Sequence, residues 1–335
     1  MVKMKAIIPV AGIGERLRPF TLTKPKALLP VAGKPILSHI IESLIDYGVE
    51  EFVLVLGYMG EKIRNFITEN YPNKAKFVYQ DKLLGLGYAV KLALDLIGNS
   101  PFIILLGDTI AKLPQKDNLN PDENYVGLVE VDEPERFGVA IVKDNYVLEL
   151  EEKPKYPRSK YVLAGVYIIN KPASLISALN EVIEKDIRTH GEFQLTDALV
   201  LMLQRGERIM WFNVDEWYDC GTPESLIKTN RSLLKKVKCD FMGENSIIIQ
   251  PSYIDISAKI RNSVIGPYVS VGSNSVIEES VIRNSIIGDG SYIRQTVLDS
   301  SVVGNEVIFV GKCFRLNIGD SSRVFLEWQK EREQR

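Results

Sequence analysis

"KAIIPVAGIGERLRPFTLTKPKALLP", residues 5–30, is the stretch that decides the architecture. It opens as a short apolar run of strand type and stops at a turn carrying Gly12 and Gly14. Pro19, Pro25 and Pro30 then forbid an immediate regular helix, because proline lacks the donor N–H and its ring clashes with the preceding turn. A long, stiffened loop remains. From Arg16 to Lys34 it carries Arg16, Arg18, Lys24, Lys26 and Lys34 and no carboxylate, in a chain with 41 basic and 43 acidic residues. A solvated basic loop is one reading of such a run. A site for a visiting polyphosphate is the other, since unopposed cations gain most when an anion meets them.

Outward from this stretch, strand and helix alternate. In "ILSHIIESLIDYG" the residues Ile36, Leu37, Ile40, Ile41, Leu44 and Ile45 recur at helical spacing, and Gly48 is a stop signal. "FVLVLG" reads as a buried strand, "EKIRNFITEN" as a helix, "AKFVYQ" as a strand, "GYAVKLALDLI" as a helix and "FIILLGD" as a strand. The alternation predicts an α/β, Rossmann-like, mostly parallel sheet with helices on both faces. Ligands of such sheets bind outside the carboxyl ends of the strands.

From about Met242 the helical period disappears. Ile248, Ile254, Ile260, Ile265, Val271, Ile277, Ile282, Ile287, Ile293, Leu298, Val303 and Phe309 recur every five or six positions, with small residues in "NSVIG", "NSIIG" and "SSVVG". One inward aliphatic per short strand and turn is the pattern of a hexapeptide β-helix; a β-sandwich with accidental spacing is the alternative. The organisation is therefore a first domain over 1–240, ending in a connecting helix at 222–238, a β-helix over 241–325 and a charged tail at 326–335. Thr222 is the expected N-cap of the connecting helix and Pro223 its first residue.

The 335 residues and 25% charged content are ordinary globular values, and a net charge of −2 gives no general attraction to nucleic acid or anionic membrane. No apolar run approaches the roughly 20 residues that span a bilayer. No leader of signal type opens the chain, and Cys220, Cys239 and Cys313 lack metal-ligand spacing. The expectation is a soluble, cytoplasmic protein.

Glycines such as Gly12 and Gly14 let backbone amides approach a phosphate. The Gly-Lys-Ser/Thr ending of a Walker loop is absent, and Leu17 stands where a dinucleotide fingerprint has its third glycine. "GIGERLRPFTLTKPKALLPVAGKPIL" instead resembles the signature G-x-G-x-R-L-x-P-x-T-x-x-x-P-K of sugar-1-phosphate nucleotidyltransferases. "YQDKLLGLGYAV", "LLGDT", "PERFGVAIV", "EEKPKYP", "AGVYIIN", "GEFQLTDAL" and "WYDCGTPESL" follow in order and resemble glucose-1-phosphate thymidylyltransferases. The likeness covers roughly residues 3 to 235. The repeats beyond it resemble the left-handed β-helix of that family's long form.

The resemblance implies a reaction in which a sugar 1-phosphate attacks the α-phosphorus of a nucleoside triphosphate and pyrophosphate leaves. It implies dTTP and glucose 1-phosphate as substrates and Mg²⁺ as cofactor. By the same resemblance, Arg16, Lys26 and Lys153 are catalytic. Ala11, Gly12, Gly14, Gln80, Gly85 and Asp108 contact the nucleotide. Gly138, Glu152, Lys153, Gly165 and Glu192 hold the sugar phosphate, and Asp108 and Asp219 bind the metal. The inventory suits the chemistry. A phosphate monoester has its second pKa at about 6, so the nucleophile is already an anion and no general base is required. His39 and His190 are then structural, and Trp217 and Tyr218 are either a wall of the sugar pocket or core.

Ala11 stands where thymidylyltransferases usually have a glycine, and alanine there is familiar in enzymes of UDP-sugars. Uridylyl transfer to glucose and guanylyl transfer to mannose are the rivals within the class. A non-catalytic sensor or assembly subunit with the same fold is the rival outside it. The β-helix is expected to build a homo-oligomer, as a trimer or from dimers. Acyltransferase coils usually need a histidine base, and none lies beyond His190. The β-helix is therefore expected to leave acetyl-CoA intact; free thiol appearing when acetyl-CoA is incubated with the protein and a panel of amino sugars would overturn that.

Overall fold

A computed structural model describes residues 4–311. Cys313, the end of the β-helix assignment (312–325) and the charged tail lie outside the described residues. Strands β1 (Lys5–Pro9), β2 (Glu51–Leu56), β3 (Ala75–Tyr79) and β4 (Phe102–Leu105) are parallel neighbours in the order β3-β2-β1-β4. Their residues alternate between two cores, as a period of two requires. Ala6, Ile8, Phe52 and Leu54 face helix α1 (Ile36–Asp46), while Ile7, Val53 and Val55 face α3 (Leu86–Ile97). Helix α2 (Gly60–Asn70) covers the β2–β3 edge. Burial on both faces is the reason these strands read as continuous apolar runs.

The parallel expectation stops at β4. Strands β5 (Asn124–Glu130), β6 (Gly138–Lys143), β7 (Tyr146–Glu152), β8 (Tyr161–Ile169) and β9 (Ile209–Asn213) extend one sheet of nine strands, in the order β3-β2-β1-β4-β8-β5-β9-β7-β6. Here only the β5–β9 pair is parallel. The cause is local. β6 and β7 are joined by Asp144 and Asn145, with Asp144 at φ 53°, and so short a hairpin can only be antiparallel. Helices α4 (Pro172–Glu184) and α5 (Leu195–Gln204) pack on the α3 side of the sheet. A separate short pair joins Thr109–Ala111 to Trp217–Asp219, antiparallel.

Helix α6 (Pro223–Leu234) starts as its sequence predicts. The Thr222 hydroxyl accepts from the Ser225 amide at 3.2 Å, and the Ser225 hydroxyl accepts from the Thr222 amide at 2.9 Å. Beyond it, three parallel four-stranded sheets form a prism with the register of a hexapeptide β-helix. All twelve periodic residues fall on its inward columns: Ile248–Ile265–Ile282–Leu298, Ile254–Val271–Ile287–Val303 and Ile260–Ile277–Ile293–Phe309. The small residues also have a structural role. Ser246, Ser263 and Ser280 stack at one corner, each hydroxyl accepting the amide of the next coil at 3.1–3.2 Å. Asn245, Asn262, Glu279 and Gln295, beside them, take the left-handed conformation that turns the corner.

The prism is attached to the first domain through Asn230 of α6, which is 1% exposed. Its carbonyl oxygen accepts from the Ala32 amide at 2.8 Å and from the Ser270 hydroxyl at 2.6 Å. No helix among the described residues is long and apolar enough to cross a membrane. Ile277 is fully buried in a middle coil. Ile277→Ala should cost about 2–5 kcal/mol, read as a lowered midpoint in calorimetry or urea unfolding, because coils of a stack are supported only by their neighbours.

Candidate active site

Two adjoining cavities open at the carboxyl ends of β1 and β4. One, of about 500 Å³, is lined by Gly12, Gly14, Arg16, Lys26 and Asp108 among others. The second, of about 280 Å³, is lined by Gly138, Glu152, Lys153, Gly165 and Asp219 among others. They share Arg16, Leu86, Leu106, Asp108 and Glu192, so the two form one bipartite cleft.

The basic loop supplies one wall. Gly14, at φ 72°, turns the chain out of the segment that follows β1, and the Thr21 hydroxyl donates to its carbonyl at 2.9 Å. A short 3-10 turn then presents Arg16 (Glu15–Leu17), and another presents Lys26 (Lys26–Leu28). Lys26 Nζ lies 2.5 Å from Asp108 Oδ2. Asp108 follows β4, and the antiparallel pairing of Thr109 with Asp219 brings the second carboxylate beside it. A Cβ built on Gly221 would stand 2.9 Å from Asp219 Oδ1 and 3.1 Å from Arg16 Nη2. Gly221 therefore leaves room for the aspartate and the guanidinium to share one corner.

Titration reflects this crowding. Burial works to raise the Asp108 carboxyl; the Lys26 ammonium and its hydrogen bond, with Arg16 behind them, outweigh burial and hold the group below the usual aspartate range. Asp219 goes the other way, pushed up first by burial and then by the charge of Asp108. Two carboxylates of which one resists ionisation beside the other suit a shared divalent cation. Magnesium commonly takes one or two protein carboxylates and fills its shell with phosphate oxygens and water. No cluster of three or more His, Cys, Asp or Glu side chains suited to a metal occurs among the described residues.

In the smaller cavity, Glu152 ends β7 opposite Gly138 in the hairpin register. Its Oε2 accepts from the Thr196 hydroxyl at 2.6 Å, and its Oε1 lies 3.4 Å from Lys153 Nζ. A Cβ on Gly138 would meet Glu152 Oε2 at 3.0 Å and Leu163 Cδ1 at 2.8 Å. Glycine there leaves room for the ends of both side chains. Lys153 sits at φ 46°, and its amide donates to the Phe137 carbonyl. Gly165, at φ 76°, lies at the register shift of β8 and receives the Leu106 amide on its carbonyl. The Glu192 carboxylate accepts from the Gln194 amide group at 3.1 Å.

Three residues expected in the nucleotide site do not line the cleft. Ala11 is 5% exposed, and its methyl packs on Gly57. Gln80 is 6% exposed, with its side-chain amide 3.5 Å from the Gly85 carbonyl. Gly85, at φ 106°, is packed against the 192–193 backbone. Trp217 lines the smaller cavity and donates to the Ala164 carbonyl at 3.0 Å, whereas Tyr218 faces a different surface recess. His39 is held by the Val31 carbonyl, and burial lowers its pKa. The His190 ring reaches the Glu152 carbonyl at 3.3 Å. Sequence reasoning did not single out Thr196, Arg136, Leu86 or Gly221. All four line the cleft, and all four lie in the motifs quoted above.

The model of the family described as nucleotidyl transferase matches residues 5–236. The chain belongs to that family. A GlmU-like C-terminal hexapeptide model matches residues 233–316 of this nucleotidyl transferase. It is 36% identical to the bifunctional protein GlmU of Methanocaldococcus jannaschii, over 92% of this chain and 76% of that protein. It is 30% identical to the glucose-1-phosphate thymidylyltransferase of Streptomyces griseus, over 87% and 88% of the two chains. A crystal structure of UDP-glucose pyrophosphorylase with UDP-glucose superposes with a TM-score of 0.60 at 26% identity, covering 71% of this chain and 100% of that one. The protein is a sugar-1-phosphate nucleotidyltransferase with a hexapeptide β-helix.

Asp108→Asn keeps the shape of the side chain and removes its charge. It should slow pyrophosphate release by roughly 10²–10³-fold, the usual loss when one electrostatic stabiliser is removed, while the circular dichroism spectrum and melting midpoint stay near wild type. An unchanged rate would take Asp108 out of the reaction.

Proposed function

We propose that the chain joins dTTP and glucose 1-phosphate into dTDP-glucose, with Mg²⁺ held by Asp108 and Asp219. The observation that carries this reading is the bipartite cleft: a glycine-edged, cationic compartment and a smaller compartment with Glu152 and Lys153 meet at Arg16 and Asp108. Such a site brings two phosphorylated substrates to one point.

In this reading, an oxygen of the sugar 1-phosphate forms a bond to the α-phosphorus as the bond between that phosphorus and the α–β bridging oxygen breaks. The pyrophosphate takes the electron pair. Phosphoryl chemistry of this type rests on positioning and charge stabilisation. Lys153 neutralises the sugar phosphate and sets it in line. Glu152, fixed by Thr196, accepts hydrogen bonds from sugar hydroxyls. Arg16 and Lys26 meet the triphosphate and the departing charge, and the open edge at Gly12 admits the phosphates, since a Cβ there would meet nothing within 4 Å. Asp108 and Asp219 would hold the metal, which would supply neutralising charge to phosphate oxygens.

Uridylyl transfer to glucose is the second reading, favoured by the likeness to the pyrophosphorylase solved with UDP-glucose. In this reading the Ala11 methyl packs on Gly57, and the choice of base rests on other contacts. The two bases differ by one methyl group, for which about 1–3 kcal/mol of discrimination is typical. Pyrophosphate release from each nucleoside triphosphate against a panel of sugar 1-phosphates decides the matter. The pair dTTP and glucose 1-phosphate should give the highest kcat/KM, and EDTA should abolish turnover until Mg²⁺ is restored. A higher kcat/KM with UTP would transfer the assignment to the second reading.

A further inference from the structure

Lys24, a cation of the opening loop, finds its partner in the other domain. Lys26 pairs with Asp108 and Lys34 with Glu42, both inside the first domain. Lys24 instead reaches the β-helix, where its Nζ lies 3.5 Å from Oδ2 of Asp289, 265 residues along the chain. It lines neither compartment of the cleft. It borders a cavity of about 460 Å³ between the loop and the prism, lined by Phe20, Leu29, Leu226, Ile286 and Val302 among others. Lys24 lines that cavity from the loop, and Gly288, the neighbour of Asp289, lines it from the prism. A close-packed interface would hold the loop by contact alone. Over this cavity such support is missing, and the ion pair joins the two sides.

The carboxylate is set for that contact. Asp289 Oδ1 accepts from the Ser273 amide at 3.0 Å and the Ser273 hydroxyl at 3.1 Å, which leaves Oδ2 to Lys24. The Asp289 amide donates to Asn305 Oδ1 at 3.2 Å. Gly272, in the preceding coil, makes the room: a Cβ there would stand 2.6 Å from Asp289 Oδ1. From the other flank, the Lys62 ammonium of α2 donates to the Thr23 carbonyl at 2.6 Å, and the Tyr58 hydroxyl donates to the Thr21 carbonyl at 3.2 Å. The segment leading to Lys26 is thus gripped by both domains. Only Pro25 separates Lys24 from Lys26, and its φ of −64° is locked by its ring. Proline also restricts the residue before it. A displacement of Lys24 is therefore passed on to Lys26 and not absorbed between them.

We propose that Asp289 is a positioning residue for nucleotidyl transfer. Through Lys24 and Pro25 it sets the place of Lys26, so the β-helix holds one wall of the cleft in its working geometry. The inference rests on the reading above, in which Lys26 meets the triphosphate and the departing charge. Stability is not what the pair supplies. Lys24 is 27% exposed and Asp289 47%, and pairs so open to water contribute little to folding. Placement is what it supplies: a cation that must stabilise charge at one point loses its effect when displaced, and an error of about 1 Å can cost about 10²-fold in rate.

Steady-state kinetics of the full-length protein test this, with the nucleoside triphosphate and sugar 1-phosphate that it turns over fastest. Asp289→Asn keeps an acceptor for Ser273 and removes the charge. It should lower kcat about tenfold, less than the loss for a full ångström of misplacement, and leave the KM for the sugar 1-phosphate and the melting midpoint near wild type. Lys24→Met should do the same. The two substitutions together should be no slower than either alone, because both act through one contact. Lys24→Arg keeps a cation within reach of Asp289 and should retain most of the wild-type kcat. Lys26→Ala, measured alongside, separates this proposal from the reading beneath it. A slow Lys26→Ala with Asp289→Asn at or above the wild-type rate would remove the positioning role and leave that reading standing. An unimpaired Lys26→Ala would remove the reading and the positioning role together. Additive losses in the double variant, or a fall in kcat seen only with a lowered melting midpoint, would also overturn the positioning role.

Discussion

Two carboxylates forced side by side organise the cleft. The pairing of Thr109–Ala111 with Trp217–Asp219 leaves no freedom in the matter: once those short strands are in register, Asp219 lies next to Asp108. Like charges at that separation repel, and the fold answers with cations from a loop distant in sequence. Lys26 bonds to Asp108, and Arg16 stands at the corner that Gly221 keeps open. The cationic loop of the opening sequence is thus half of an electrostatic couple whose other half lies 82 and more residues further along the chain.

The same logic explains where the crowding falls. At Gly138 a Cβ would press on the ends of the Glu152 and Leu163 side chains, and glycine leaves them in place. Glu152 is in turn fixed by Thr196 at the start of α5, so a carboxylate at the end of a hairpin is oriented by a helix some 44 residues further on. Rigid elements therefore set the groups of the smaller compartment, while the larger one is formed largely by loop backbone and by the two cations.

Helix α6 joins these two environments to the β-helix. The Thr229 hydroxyl donates to the Asp219 carbonyl at 3.3 Å, and the next residue, Asn230, binds both Ser270 of the prism and Ala32 of the basic loop's far end. One helix thus holds the carboxylate strand, the loop and the first coils in a fixed relation. The prism's attached face is occupied by this contact, its charged face, with Arg261 between Glu244 and Glu278, satisfies itself, and its aliphatic face, with Ile247, Val281 and Val297, is exposed among the described residues.

Much of the architecture follows from the sequence alone, because the signals are short-range. Burial on both sides makes β1, β2 and β4 continuous apolar runs, the Thr222-Pro223 cap marks α6, and a repeat of five or six residues places all twelve inward positions of the β-helix. The residue types of the cleft were legible too, through the ordered motifs from Gly12 to Asp219. The mixed second half of the sheet was not. Its direction is set by hairpins and by which edge β8 reaches, neither of which a local period encodes. Nor could the sequence show that the Ala11 methyl turns to Gly57, that Gln80 is buried, or that Thr196 clamps Glu152. Those outcomes depend on which backbones approach one another in three dimensions, and only tertiary packing decides that.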